Sequence, residues 1–238
     1  VPSGSSTTNM MNQNIGTLKN QGVEFSITAR PIVTKDFTWT ASYNVAYNKN
    51  KITKLNNDGS YIETGGISSG NGNNCQVQAV GHPINSFYLF EQVYDKDGKP
   101  LEGVYVDQDK NGVINDDDRR IYHSKDPKVT MSFSSTFNWK NWDLGIAMHA
   151  NIGNYVYADA MSDHAVVDDC WKNGKLNNLI QTDYYFNGTV NPAVGIMKSD
   201  YWLRNASFLR CDNITLGHTW PYLLDNKMRL RLYGAVQN

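Results

Sequence analysis

The sequence predicts an all-β chain of antiparallel hairpins, and three observations carry that prediction. Apolar residues recur at every second position over several runs, paired runs are joined by very short turns, and long polar stretches separate the pairs. The clearest run is Val129 to Trp139, where Val129, Met131, Phe133, Phe137 and Trp139 alternate with Thr130, Ser132, Ser134, Thr136 and Asn138, and only Ser135 breaks the alternation. After Lys140 and Asn141, Leu144, Ile146, Met148 and Ala150 alternate with Asp143, Gly145, Ala147 and His149, the pattern of the return strand of a tight hairpin. Trp139 and Trp142 flank the turn, where an indole suits a boundary between apolar and wet surroundings. This hairpin reads as part of a sheet facing lipid.

Bulk properties narrow the alternatives. The chain has 238 residues, enough for one large β domain or two small ones, and a net charge of −1. With no basic excess to neutralise phosphates, nucleic acid is excluded as a partner. Cys75, Cys170 and Cys211 are too few and too irregular for a disulfide framework, and no CxxC is present. Aromatic residues make up 12% of the chain and Asn occurs 28 times, a composition of strands joined by polar turns. No run approaches the roughly 20 apolar residues of a membrane-spanning helix, and residues 1–20 lack a signal-peptide pattern. The mean hydropathy of −0.53 is compatible with barrel strands, whose alternation hides them from hydropathy.

Taken in order, residues 1–14 are small and polar, as in a loop tip or a cut end. Val23, Phe25, Ile27 and Ala29 alternate with Glu24, Ser26, Thr28 and Arg30, and after a turn at 34–36 a second run, Phe37 to Tyr47, repeats the plan. Residues 56–74 are rich in Asn, Gly and Ser and are expected as an exposed loop. A strand is expected from Gln76, then a turn at 81–84 and an aromatic strand from Phe87 to Tyr94. A second long loop spans 95–126, and the longest excursion, 152–204, holds a short helix within 157–173. Ser207 to Trp220 and Met228 to Gln237 are strands around a turn at 221–226. The result is about eight strands in which short and long connections alternate. That habit belongs to an antiparallel transmembrane β-barrel segment with long extracellular loops. A soluble β-sandwich has the same one-sided strands, so the pattern alone leaves both open.

One motif carries chemistry. In residues 107–118, DQDKNGVINDDD, the oxygen ligands of a calcium-type loop fall at Asp107, Asp109 and Asn111, Gly112 sits at the sharp turn, Val113 offers its carbonyl, and Asp118 closes the loop. Ile114 stands where an apolar residue would anchor the loop to its domain. An Asp at the closing position supplies one oxygen where Glu supplies two, which weakens the site or admits a water. Its role reads as structural, Ca2+ offsetting the entropy of ordering the loop, with Mg2+ as the other hard cation that fits. The flanks form no convincing helix pair, which argues against a sensor. No HExxH, GxSxG or Gly-rich phosphate loop is present, so no catalytic residue is assigned and the chain is not read as an enzyme. Substrate-binding residues are not assigned either.

Several segments in order resemble the SusC/RagA-type TonB-dependent outer-membrane transporters of Bacteroidota. They are Leu18-Lys19-Asn20-Gln21-Gly22-Val23-Glu24, Gly81-His82-Pro83 with Phe87-Tyr88, Asp116-Asp117-Asp118-Arg119, Pro127-Lys128 leading into the hairpin, and Trp202-Leu203-Arg204-Asn205-Ala206-Ser207-Phe208 running on to Asn213-Ile214-Thr215-Leu216-Gly217. The resemblance implies that residues 1–238 are a late part of a barrel of about twenty-two strands, the plug and N-terminal strands lying outside them. It further implies an importer in the outer membrane of a Gram-negative bacterium, energised through the TonB complex, with a SusD-like lipoprotein as partner and an oligosaccharide or peptide as substrate. The rival is a secreted, calcium-stabilised β-sandwich that binds carbohydrate.

Overall fold

The structure, a computed structural model, describes residues 16–55, 61–68, 73–163, 166–176, 182–191, 195–223, 225 and 227–238. Its first strands are β1 (Gly16–Val33), β2 (Phe37–Leu55), β3 (Tyr61–Gly66), β4 (Asn74–Ala79), β5 (Ser86–Leu89), β6 (Gln92–Tyr94), β7 (Pro100–Tyr105) and β8 (Arg120–Ser124). They are followed by β9 (Val129–Trp139), β10 (Trp142–Ile152), β11 (Tyr155–Tyr157), β12 (Trp171–Lys172), β13 (Lys175–Leu176), β14 (Leu203–Asn205), β15 (Phe208–Leu223) and β16 (Met228–Gln237). Two compact units result, one of residues 21–49, 125–156 and 204–238 and one of residues 1–20, 50–124 and 157–203.

The first unit is built on a six-stranded sheet in the order β1-β2-β9-β10-β15-β16, and β2, β9, β10, β15 and β16 pair antiparallel along it. Because residues opposite one another share a face, the register sorts the side chains into two surfaces. Trp39, Phe137, Leu144 and Leu216 align across one face, and Ala41, Ser135, Ile146, Ile214 and Val236 follow beside them. On the other face Thr40, Thr136, Gly145 and Thr215 align, as do Asn44, Ser132, His149 and Arg210. The apolar surface is left open: Val23 is 72% exposed and Leu209 70%.

Ser135, the exception in its run, accepts a hydrogen bond of 2.9 Å from the Trp39 indole N–H and is only 3% exposed. An indole on an apolar face must place its N–H somewhere, and the hydroxyl on the next strand supplies the acceptor. At the turn end Phe37, Trp139 and Trp142 stand in register, and the His218 ring lies 4.4 Å from Trp142 and 4.2 Å from Trp220. Lys140 makes the two-residue turn with a φ of +52°, and its N–H bonds to the Asp36 carbonyl of the neighbouring turn at 2.7 Å.

On the polar face Arg231 grips Asp143 with two hydrogen bonds, of 2.6 and 3.1 Å. The pair passes over Gly217, where an added Cβ would come within 2.7 Å of both the Arg231 guanidinium and the Asp143 carboxylate.

The second unit holds the sheet β3-β4-β5-β8, whose pairs are antiparallel. Val77, Ala79 and Tyr88 form its core with Ile121 packed against them, and Phe87, Leu89, Ile196 and Trp202 are also buried. Here the sequence-based reading needs correction. The strands expected from Gln76 and from Phe87 to Tyr94 do not join the long sheet; they become β4, β5 and β6, so the long sheet has six described strands rather than eight. Every residue of β5 is buried, which a strand with one lipid face cannot be. The loops expected at 56–74 and 95–126 also contain structure, namely β3, β7 and β8. Residues 1–14, 56–60, 69–72, 164, 165, 224 and 226, on which parts of the expected tail, loop, helix and turn fall, lie outside the described residues. Within 157–173 the expected helix is the single turn Asp159–Asp163. The all-β antiparallel class and the hairpin bounds at 129–139 and 142–152 stand.

Substituting Gly217→Ala is expected to displace the Asp143–Arg231 pair and lower the melting temperature. Gly234→Ala, where an added Cβ meets nothing within 4 Å, is the control. Thermal melts followed by β-sheet circular dichroism check this, and equal shifts for the two variants would sink the steric account.

Candidate functional site

The calcium-type loop lies in the second unit and begins just after β7. Asp107 folds the chain back on itself: its two carboxylate oxygens accept from the Lys110 N–H at 2.7 Å and the Gly112 N–H at 2.8 Å. The loop turns through two left-handed residues, Lys110 at φ +61° and Gly112 at φ +82°, and the second is glycine because that region costs it nothing. Asp109 accepts from the Asn111 N–H at 3.0 Å and its side-chain amide at 2.7 Å, while the Asn111 side-chain Oδ1 accepts from the Val113 N–H at 2.7 Å. A short 3-10 turn, Asp116–Asp118, closes the loop, capped by Asn115, whose side chain accepts from the Asp117 N–H at 2.7 Å.

Asp118 is the centre of this arrangement. It is 0% exposed, and its oxygens accept from the Gln108 N–H at 2.7 Å and the Asn115 N–H at 2.9 Å. The Asn115 N–H first, and the Gln108 and Asp109 N–H groups after it, hold its carboxyl below the usual aspartate range, against burial, which pushes the other way. It therefore stays a carboxylate. One oxygen each from Asp107, Asp109 and Asp118 lie within 4.8 Å of one another. Three converging carboxylates, one of them fully desolvated, suit a hard divalent cation that takes oxygen ligands.

The structure thus brings together three of the five residues assigned from spacing. Asn111 stands beside them through its bond to Asp109, and Val113 belongs to the same turn with its side chain 60% exposed. Ile114, expected as the anchor, is 41% exposed and does not serve. The anchor is Arg119, only 5% exposed, which spacing did not reveal. Its guanidinium lies 4.2 Å over the Tyr88 ring, donates to Glu63 on β3, and pairs with Asp116 at 3.1 Å. The Tyr88 hydroxyl donates to the Asp116 carbonyl at 3.1 Å, and burial above all pushes that phenol up to about 12. Glu63 is 56 positions away, so no local pattern announces the pair.

The comparisons with known proteins follow the fold. No family model matches the chain. The chain is 42% identical to the TonB-dependent receptor SusC of Bacteroides thetaiotaomicron over 252 residues, a match that covers 100% of the chain and 24% of that receptor. It is 30% identical to the TonB-dependent receptor P3 of Formosa agariphila, over 95% of the chain and 24% of the relative. Among solved structures it resembles the RagAB peptide transporter with a TM-score of 0.67 and 23% identity, over 94% of the chain and 26% of that one. The RagAB importer in its open-open state gives 0.67 and 24%, over 95% and 26%. The chain therefore spans about a quarter of the length of the relatives it matches.

Because the folded-state carboxyl of Asp118 titrates below its unfolded value, its contribution to loop stability is present above about pH 4 and is lost as pH falls through the lowered value. Peptide-level hydrogen exchange over residues 105–120 is expected to show protection falling below about pH 4. In Asp118→Asn that step is expected to vanish, and an unchanged acid transition in the variant would remove Asp118 as its cause.

Proposed function

The chain belongs to the SusC/RagA-type TonB-dependent receptors of the outer membrane, and from that premise we propose that it forms wall and loops of a nutrient importer. The family is one of receptors and transporters, not of enzymes. The observation that carries the proposal is the two-faced sheet. One face of β2, β9, β10, β15 and β16 is a continuous apolar surface fit for lipid, while the other presents hydroxyls, amides and charges fit for a wet lumen. Where these strands face one another their backbone groups pair in the ladder, as a membrane requires. A soluble sandwich would cover the apolar face with a second sheet, and the exposure of Val23 and Leu209 argues against that.

In this reading import draws its energy through the TonB complex, a SusD-like surface lipoprotein is the partner, and the substrate is a glycan or a peptide. In the same reading the loop Asp107–Asp118 binds Ca2+ through Asp107, Asp109 and Asp118, a choice supported by the approach of their carboxylate oxygens within 4.8 Å, with Asn111 and the Val113 carbonyl completing the set. Bound there, the ion would neutralise three converging carboxylates and tie the loop to the body held by Arg119 and Glu63. Mg2+ is the competing ion, disfavoured by its need for near-ideal octahedral geometry.

Two measurements test this. Deletion of the gene for the full-length receptor is expected to abolish growth on one glycan or peptide source out of a screened set, and unimpaired growth on all of them would sink the importer reading. Calorimetry of the purified full-length receptor with Ca2+ is expected to show binding that falls at least about tenfold in Asp118→Asn, the order of one lost charged ligand. Equal affinity in wild type and variant would remove the metal from this loop.

A further inference from the structure

Where the β9–β10 turn meets the hairpin of β15 and β16, the polar face of the sheet carries a pocket of about 250 Å³. That is below the roughly 300 Å³ at which sites for drug-sized ligands begin, so it suits one small group. The strand register assembles its lining. Asn138 stands opposite Asp143, and Thr219 opposite Arg231. The Thr219 N–H donates to the Asn141 carbonyl at 2.9 Å, which joins the turn to β15, and Arg229 follows Arg231 on the same face of β16 by the period of two.

Three cations, Lys140, Arg229 and Arg231, line this pocket against one carboxylate, Asp143. That carboxylate is already committed, since both of its oxygens accept from Arg231, at 3.1 and 2.6 Å. A guanidinium has five N–H groups and the grip on Asp143 uses two, so Arg231 keeps donors for a second acceptor. Its carbon lies 5.0 Å from the centre of the Tyr233 ring, which supports the group from the side. Lys140 and Arg229 form no ion pair with the described residues; the Lys140 ammonium lies 5.8 Å from the centre of the Trp139 ring. The Asn141 amide and the Thr219 hydroxyl, bonded to no other described side chain, add neutral donors.

The charges select a chemical class. With Asp143 balanced by Arg231, the lining keeps two positive charges, those of Lys140 and Arg229. A cation would be repelled. A neutral polyol would find the one carboxylate already taken and would leave both charges uncompensated. A carboxylate brings a single negative charge and balances half of them. A phosphate monoester or inorganic phosphate carries about two negative charges near neutral pH and three strong acceptor oxygens. Arginine is the side chain whose planar fork matches phosphate, and here two of them face one space with a lysine.

We infer that this pocket is a binding site for a doubly charged tetrahedral oxyanion, either free phosphate or the phosphate end of a monoester. Arg229 and Lys140 neutralise it, the spare N–H groups of Arg231 donate to it, and Asn141 and Thr219 complete its hydrogen bonds. The site stands apart from the importer reading, since no cargo enters the argument. Its groups come from the β9–β10 turn, β15 and β16, so a bound oxyanion ties two hairpins together and stabilises the receptor that holds it. In a transmembrane barrel of this kind short turns lie on the periplasmic side, and the site is filled from there.

The test uses the full-length receptor in detergent, in a buffer free of phosphate and sulfate, and follows added inorganic phosphate by the broadening of its phosphorus NMR line. Phosphate is expected to bind and to raise the melting temperature, whereas acetate at the same ionic strength does neither. Arg229→Gln and Lys140→Gln are each expected to weaken phosphate about threefold, the scale of an exposed charge pair, and the double variant about tenfold. Arg229→Gln carries the test if Lys140→Gln disturbs the turn. Lys175→Gln on β13 removes the same charge without touching the lining and is expected to leave the affinity unchanged. Phenyl phosphate separates the two sources: binding at least as tight as that of phosphate supports a monoester ligand, and weaker binding supports the free ion. The inference is overturned if phosphate does not bind, if acetate matches it, or if Lys175→Gln weakens it as much as the pocket variants do. It is equally overturned if Arg229→Gln lowers the melting temperature of the phosphate-free receptor and leaves phosphate affinity alone.

Discussion

The constraint on which the sheet unit depends is that a strand against lipid must spend all its backbone N–H and C=O groups on its neighbours. Pairing fixes the register, and with a side-chain period of two the register decides which face each residue occupies. A slip of one position would carry Phe137 and Leu144 to the polar face and Asn138 and Asp143 to the lipid. Individual side chains then meet the demands of each surface. Ser135 accepts the Trp39 N–H inside the apolar row, and Gly217 leaves room for the Asp143–Arg231 pair on the other side. Trp139, Trp142 and Trp220 gather at the turn end, where amphipathic rings suit the boundary between lipid and water.

The loop unit is held by different means. Its apolar core is small, and buried polar groups do much of the joining. The two side-chain N–H groups of Gln92 are shared among the carbonyls of Leu101, Val93 and Val104, and its own side-chain oxygen accepts from the Ser199 hydroxyl at 2.9 Å. Asp200 accepts from the Gln92 N–H at 2.9 Å and the Tyr122 hydroxyl at 3.1 Å; burial nonetheless pushes its carboxyl above the usual range. Such groups are costly when unpaired and specific when paired, so they define one arrangement of connections that have few apolar residues to pack. Arg119 belongs to the same logic, tying the acidic loop to β3 through Glu63.

The acidic loop was legible because its requirements are local. Carboxylates two residues apart and a glycine at the turn are visible in twelve consecutive positions, and Asp107, Asp109 and Asp118 do converge. Its attachment was not legible. Ile114, the apolar candidate, points to no core, whereas a buried cation and an acid 56 positions upstream form the link. Likewise Asn44, Ser132 and His149 look like ordinary polar positions of separate strands until the register sets them side by side.

By itself the sequence determined the all-β class, the hairpin at 129–152, the residues of its two faces and the carboxylate spacing of 107–118, because each depends on a period or a spacing shorter than about a dozen residues. Only the tertiary structure decided which strands share a sheet. Gln76 to Ala79 and Phe87 to Leu89 have the composition of sheet strands, yet β4 and β5 pair with β3 and β8 and bury both faces of β5. Alternation says that one face of a strand is apolar but not what covers it, and that is settled by long-range pairing.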